Sequence, residues 1–87
     1  MKVTKITIKP FESTRTKAFV TVELDECMVL TGMTVVKGKY GNFVSMPQYK
    51  GKDGNYYSHY YPLGDWKEKL ESKILKAYDA EMEKDED

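Results

Sequence analysis

The chain has 87 residues, a length typical of one domain, and its 40% apolar content is sufficient for a small core, which a dimer would enlarge. Its single cysteine, Cys27, excludes an internal disulfide framework and a cysteine-rich zinc site. No apolar run approaches the roughly 20 residues of a membrane span, and the N-terminus lacks the apolar segment of a signal peptide. We therefore expect a cytoplasmic protein that makes no membrane contact.

The formal net charge is zero, but the charges are unevenly distributed along the chain. Residues 1–78 carry 13 Lys and Arg against 8 Asp and Glu, whereas residues 79–87 carry six acids and one lysine, Lys84. The sequence therefore predicts one basic folded domain over residues 1–78 and an acidic, frayed tail over residues 79–87. Such tails are usually solvated. The alternative is that this tail competes with anionic ligands for the basic surface.

Two alternating segments predict the first two strands. Residues 3–9 place Thr4, Ile6 and Ile8 on one face. The inward positions of residues 17–24 are Ala18, Val20, Val22 and Leu24. After a polar turn at Asp25-Glu26, residues 27–37 are apolar on both alternating faces, so this strand should be covered on both sides, the second cover coming from a partner subunit. Gly32 interrupts the strand and predicts a bulge.

Residues 41–47, Gly-Asn-Phe-Val-Ser-Met-Pro, predict a short buried inner strand. Pairing should stop at Pro47, which has no N–H to donate. The next segment contains Asp53-Gly54, a pair favoured in type I′ turns, and a β-rich run then extends from Tyr56 to Tyr61. This part of the chain is therefore a predicted β-hairpin with a basic, aromatic tip.

A helix is predicted to begin at Asp65, a good N-cap, with Glu68 completing a capping box. Its buried face would comprise Trp66, Leu70, Ile74, Ala77 and Tyr78, which recur at helical spacing. The helix should fray near Met82. Together these elements predict an α+β fold: an antiparallel sheet of about five strands, a C-terminal helix and a dimer formed through the sheet.

Catalytic chemistry is not indicated. The only histidine, His59, has no carboxylate nearby in sequence, and Cys27 has no visible activating partner. No phosphate loop, nucleophile triad or metal-spaced cluster is present in the sequence. We therefore expect no enzymatic activity, no cofactor, no metal and no small-molecule substrate.

Basic and aromatic residues are the more informative features. Lys69, Lys73 and Lys76 share one helix edge, with Lys67 on the opposite flank. The like-charged Lys69–Lys73 pair costs an isolated helix roughly 0.2–0.5 kcal/mol, which an anionic partner would offset. The alternative is an ordinary solvated edge.

The predicted hairpin is rich in tyrosine. Strand alternation places Tyr57 and Tyr61 with His59 on one face, and Tyr56 and Tyr60 on the other. One set should belong to the core. The other would stack on unpaired bases or pack in a dimer interface.

The sequence from Val29 onward resembles the stage V sporulation protein G (SpoVG) family. The motifs that carry the resemblance are Val35-Val36-Lys37-Gly38, Gly41 to Pro47, Asp53-Gly54-Asn55-Tyr56, Pro62, Lys67-Glu68-Lys69-Leu70, Ile74-Leu75 and Tyr78. Residues 3–24 fit the family's first two strands in pattern only. The chain departs from the family where Tyr57 and Ser58 replace an arginine and an aspartate.

The resemblance implies a bacterial homodimer that regulates sporulation and septation and binds DNA and RNA. By position, it implies nucleic-acid contacts at Lys50, Lys52, Lys67 and Lys69; Lys73 and Lys76 are added from the helical spacing. The alternative function is a protein-interaction module of the division machinery, which would dock through the tyrosine-rich hairpin without binding nucleic acid.

Overall fold

The computed structural model describes residues 2–11 and 13–84. Its elements are β1 (Val3–Pro10), β2 (Thr16–Leu24), β3 (Met28–Gly38), β4 (Gly41–Ser45), β5 (Gln48–Lys50), β6 (Tyr56–Ser58) and α1 (Asp65–Lys84). Strands β1 to β4 form one antiparallel sheet in chain order, and α1 packs against it. The predicted α+β class and C-terminal helix are confirmed.

The prediction of a single sheet of about five strands is wrong. Strands β5 and β6 pair only with each other, as a separate two-stranded sheet. The main ladder ends at Ser45, two residues before Pro47, which cannot donate a hydrogen bond to continue it. The return strand is also shorter than predicted, because it ends at Ser58 rather than Tyr61.

The core lies between the sheet and α1. All four predicted inward residues of β2 are buried, as are Met33 and Val35 of β3 and Leu70, Ile74 and Tyr78 of α1. Burying an aliphatic side chain of this size stabilises the fold by about 1.5–3 kcal/mol. These few residues therefore hold the helix to the sheet and fix which helix faces remain exposed.

Two irregularities decide which side chains face the core. In β1 the register shifts between Val3 and Lys5, so Val3 joins Ile6 and Ile8 against the core and the predicted inward position of Thr4 is wrong. Thr4 instead donates from Oγ1 to Glu23 Oε2 at 2.8 Å. In β3 the predicted bulge at Gly32 is confirmed by a register shift against β2 and a φ of 94°.

Strand β4 is an edge strand of the four-stranded sheet, not the buried inner strand predicted. Its residues still alternate: Val44 packs against the core, whereas Phe43 remains 39% exposed on the other face. The predicted double cover of β3 is likewise incomplete in this single chain, because Met28 and Val29 are exposed.

The turn chemistry also differs from the prediction. Asp25 and Glu26 both have positive φ, 52° and 55°, and Cys27 N–H donates to Leu24 O at 2.9 Å. These are the features of a type I′ turn with Asp25 and Glu26 at its central positions. The β5–β6 connection is instead a three-residue loop, in which Gly51 N–H donates to Asn55 O and only Gly54 has a positive φ, 85°.

The helix begins at Asp65, as predicted, and continues to Lys84, past the predicted fraying at Met82. Residues 85–87 of the predicted tail lie outside the described residues. The start of the helix is closed by backbone bonds, from Trp66 N–H to Leu63 O and from Lys67 N–H to Gly64 O, each 3.2 Å. The predicted Asp65 and Glu68 capping box is not formed among the side-chain hydrogen bonds of the described residues.

We predict that Glu26→Gly stabilises the fold. A left-handed backbone costs an L-residue roughly 1–2 kcal/mol, and glycine avoids this cost at some expense in unfolded-state entropy, so the net gain should be about 0.5–1 kcal/mol. Urea unfolding would measure it. Glu26→Ala, which removes the same carboxylate but keeps Cβ, is the control and should show no gain. Equal stability of the two variants would contradict the type I′ assignment.

Candidate nucleic-acid interface

All six predicted contact lysines have exposed side chains. Lys50 ends β5, Lys52 lies in the hairpin loop, and Lys67, Lys69, Lys73 and Lys76 lie on α1. Across residues 2–11 and 13–84, the ion pair within 4.0 Å joins Lys84 to Glu81, at 3.9 Å. None of the six is therefore neutralised by an acidic partner within the described part of the chain.

The structure does not bring these six lysines onto one surface. Lys67 and Glu71 line a groove with Ser45 of β4 and with Gln48 and Ser58 at the base of the hairpin. At 100° per residue, Lys69, Lys73 and Lys76 lie about 140–160° around the helix from Glu71. We call Lys50, Lys52 and Lys67 the hairpin group and the other three the helix-edge group. Lys67 and the helix-edge group lie on opposite flanks of α1.

One face of the hairpin carries three rings, Tyr49, Tyr57 and His59, which we call the aromatic strip. Tyr49 and Tyr57 are cross-strand partners with ring centroids 5.8 Å apart. The centroid of the His59 ring lies 5.0 Å from that of Tyr49. Tyr49 thus takes the position that strand alternation gave to Tyr61, which the short β6 leaves outside the hairpin.

Tyr57 is held in place by the hairpin loop. Its hydroxyl donates to Asp53 Oδ2, and the same carboxylate accepts from Asn55 N–H at 3.0 Å and from Asn55 Nδ2 at 3.3 Å. The bond from Tyr57, and next the one from Asn55 N–H, lower the pKa of Asp53 below its ordinary 3.8. A Cβ on Gly51 would come within 2.7 Å of the Tyr57 ring, so only glycine leaves room for it there.

The other tyrosines have different environments. Tyr60 is half-buried, its hydroxyl donates to Thr31 O at 2.6 Å, and burial raises its pKa. It thereby ties the segment after the hairpin to β3. Tyr56 and Tyr61, each 67% exposed, do not join the core. The predicted core set is therefore reduced to Tyr60.

The sheet face opposite α1 carries exposed apolar side chains. Phe11 and Phe19 meet edge to face with centroids 5.1 Å apart, and Phe43 and Val29 are also exposed. Among residues 2–11 and 13–84, no element covers this face. Strand β3 is apolar on both alternating faces in sequence, and this surface is the second of the two faces. It is the face that we expected a partner subunit to cover.

An apolar groove of about 370 Å³ lies between the end of the β2–β3 hairpin and the start of α1. Met28, Met46, Tyr60 and Trp66 are among its lining residues. Sequence reasoning missed this groove, because its walls come from segments far apart in the chain. Tyr49 was counted among the tyrosines of the hairpin but was assigned to neither face, although a three-residue loop would have paired it with Tyr57.

The remaining candidate residues have simple surroundings. Cys27 is free and exposed, and His59 contacts Tyr49. In the part of the chain that the structure describes, no three His, Cys, Asp or Glu side chains converge on a possible metal position. Within those residues there is also no helix both long and apolar enough to cross a membrane.

Comparison with known proteins identifies the family. The SpoVG family profile matches residues 1–80. A septation protein SpoVG of Anaeromyxobacter sp. strain K is 38% identical over 85 residues, which cover 97% of this chain and 84% of the relative. Proteins of that name from Bdellovibrio bacteriovorus and Borreliella afzelii are 37% and 34% identical, covering 94% and 98% of this chain and 77% and 99% of their own lengths. The fold and these similarities define one family, and the chain belongs to the SpoVG family.

We predict that Tyr57→Phe raises the pKa of Asp53 toward 3.8, because the largest of the hydrogen bonds that lower it is lost. A carboxyl with a lowered folded pKa stabilises the hairpin above its unfolded pKa, and this contribution disappears as the pH falls through the folded value. NMR titration of the Asp53 carboxyl would measure the change. Tyr56→Phe is the control, and an unchanged Asp53 pKa in Tyr57→Phe would contradict the assigned bond.

Proposed function

We propose that this chain is a nucleic-acid-binding regulatory protein that acts as a cytoplasmic homodimer, without enzymatic activity, cofactor or small-molecule substrate. Its ligand would be DNA, RNA or both. Membership of the SpoVG family and the names of its relatives support a role in septation, and the sporulation role implied by the family resemblance is part of the same proposal.

The observation that carries the proposal is the hairpin group. Lys50 and Lys52 extend from a small sheet that packs little against the core, and they have no acidic partner within 4.0 Å among the described residues. Lysines in this state bind phosphates by releasing condensed counterions, so affinity falls as salt rises, with a slope of about −0.9 per neutralised phosphate of a duplex. Each lysine that contacts a phosphate of a duplex should therefore make this slope steeper by about 0.9.

The homodimer is supported by the apolar sheet face that α1 leaves open. Aromatic side chains such as Phe19 and Phe43 are enriched in the cores of protein interfaces. A dimer through this face would also present each lysine group twice. That arrangement would compensate for the separation of the hairpin group from the helix-edge group in one protomer.

We predict that Lys50→Gln with Lys52→Gln weakens nucleic-acid binding and lowers the salt slope by about 2 for each hairpin engaged. Fluorescence anisotropy with labelled duplex DNA and single-stranded RNA at several salt concentrations would measure both quantities. The matched control is Lys37→Gln with Lys39→Gln, which removes the same charge at the same spacing from another exposed segment. Sedimentation velocity should show dimers of all three proteins.

Equal binding by the two double variants would contradict the assignment of the site to the hairpin. Failure of the native chain to bind either ligand at low salt would contradict the proposed function itself. The exposed tyrosines would then favour the alternative, a protein-docking module of the division machinery. That alternative predicts binding to its partner that responds weakly to salt and to lysine substitution.

A further inference from the structure

We propose that the aromatic strip is a stacking site for unpaired bases, so that the hairpin binds single-stranded nucleic acid in preference to duplex. The inference takes its ligand class from the proposed function. It adds which form of nucleic acid the hairpin selects and which rings make the selection.

The strip lies on the open side of the hairpin. Gln48 and Ser58 line the groove beside α1, and strand alternation turns their neighbours Tyr49 and Tyr57 to the opposite face. Although the rings contact one another, Tyr49 is 48% and Tyr57 43% exposed. Their planes are tilted by 31° to each other, and His59 is tilted by 42° to Tyr49, so the pairs are not closed stacks. Ring faces therefore remain available to a ligand.

Tyr57 is already fixed in position before any ligand arrives. Its hydroxyl donates a hydrogen bond to Asp53, and Gly51 has no side chain that would occupy the position of the ring. The Tyr49 ring contacts both Tyr57 and His59. Binding to a preorganised surface loses little side-chain entropy, and a tyrosine has few rotatable bonds to order. The strip is therefore better suited to stacking than a flexible aromatic such as an isolated surface tyrosine.

The charges beside the strip suit a nucleic-acid backbone. Lys52 lies in the loop that holds Tyr57, whereas Lys50 pairs with Tyr56 and therefore extends from the opposite face of the hairpin. The nearby carboxylate of Asp53 accepts three hydrogen bonds, from the Tyr57 hydroxyl and from Asn55 N–H and Nδ2. A strand whose bases lie on the rings can thus place a phosphate near Lys52 and pass its backbone around the edge of the hairpin toward Lys50. A duplex offers the lysines its phosphates, but its bases are already paired and stacked.

The competing explanation is that these rings only stabilise the hairpin, as cross-strand aromatic pairs commonly do. The chain provides a control that separates the two explanations. Tyr56 lies next to Tyr57 in β6, is exposed, and faces the other side of the same hairpin. A purely structural hairpin effect would change binding to duplex and single strand together, whereas stacking would change only the single strand.

The test measures anisotropy of labelled oligothymidine, oligouridine and a DNA duplex of the same length, at one salt concentration. The variants are Tyr49→Leu, Tyr49→Phe, His59→Leu and Tyr56→Leu in the full chain. We expect Tyr49→Leu to weaken single-strand binding roughly 5- to 100-fold, the range reported by removing one stacking ring, with duplex binding changed less than about twofold. Tyr49→Phe should restore binding, and Tyr56→Leu should leave it unchanged.

His59 lies beyond the end of β6, so His59→Leu removes one ring of the strip without changing a residue of the hairpin ladder. This variant should also weaken single-strand binding. A loss with either single strand supports the proposal. Native-like single-strand binding by both Tyr49→Leu and His59→Leu, or equal losses on single strand and duplex, would overturn it. Salt-sensitive binding by the native chain in that case would leave the proposed function intact.

Discussion

The break in the main ladder at Pro47 is the constraint on which the candidate site depends. Pro47 cannot donate a backbone hydrogen bond, so the chain leaves the edge of the four-stranded sheet after β4. Gly32 of β3 accommodates this exit: a Cβ at Gly32 would lie 3.1 Å from the Pro47 ring, and its φ of 94° disfavours other residues. Tyr60 then ties the returning chain to Thr31 O. The hairpin is thereby anchored at its base while its strands stay outside the core.

This separation divides the work between two parts of a small molecule. The buried apolar side chains of the core belong to β2, β3 and α1. The stability of the fold therefore depends on these three elements. The hairpin contributes no residue to the buried cluster, and its side chains are free to face solvent. Two lysines, two tyrosines and a histidine can therefore be used for binding with little expense to folding. We infer that the hairpin tolerates sequence change that the core would not.

Much of the fold could be predicted because its signals are local. The alternation of β2, the helical spacing of Leu70, Ile74 and Tyr78, and the stop at Pro47 each follow from side-chain periodicity or from the chemistry of one residue. The errors arose where the pairing between strands decides which face of the sheet a side chain takes. The bulge at Thr4 turns Val3 rather than Thr4 toward the core, and the Asp53-Gly54 loop takes an extra residue that brings Tyr49 opposite Tyr57. Register of this kind is set between strands and is not visible in either strand alone.

The lysine candidates show the same limit. Helical spacing correctly groups Lys69, Lys73 and Lys76 on one edge, but only the packing of α1 reveals that Glu71 and Lys67 turn toward the hairpin and that the other three turn away. A list of basic residues therefore could not say which of them share a surface. In the proposed function the hairpin is the primary contact, and the helix edge is a separate one.

The most direct test of that central claim is an NMR titration of the ¹⁵N-labelled chain with a single-stranded oligonucleotide. We expect the amide shifts to concentrate on residues 48–59, with Tyr49, Lys52 and Tyr57 moving early and the buried strand β2 unaffected. Shifts centred on Lys69, Lys73 and Lys76 with a silent hairpin would contradict the claim that the free hairpin is the nucleic-acid site.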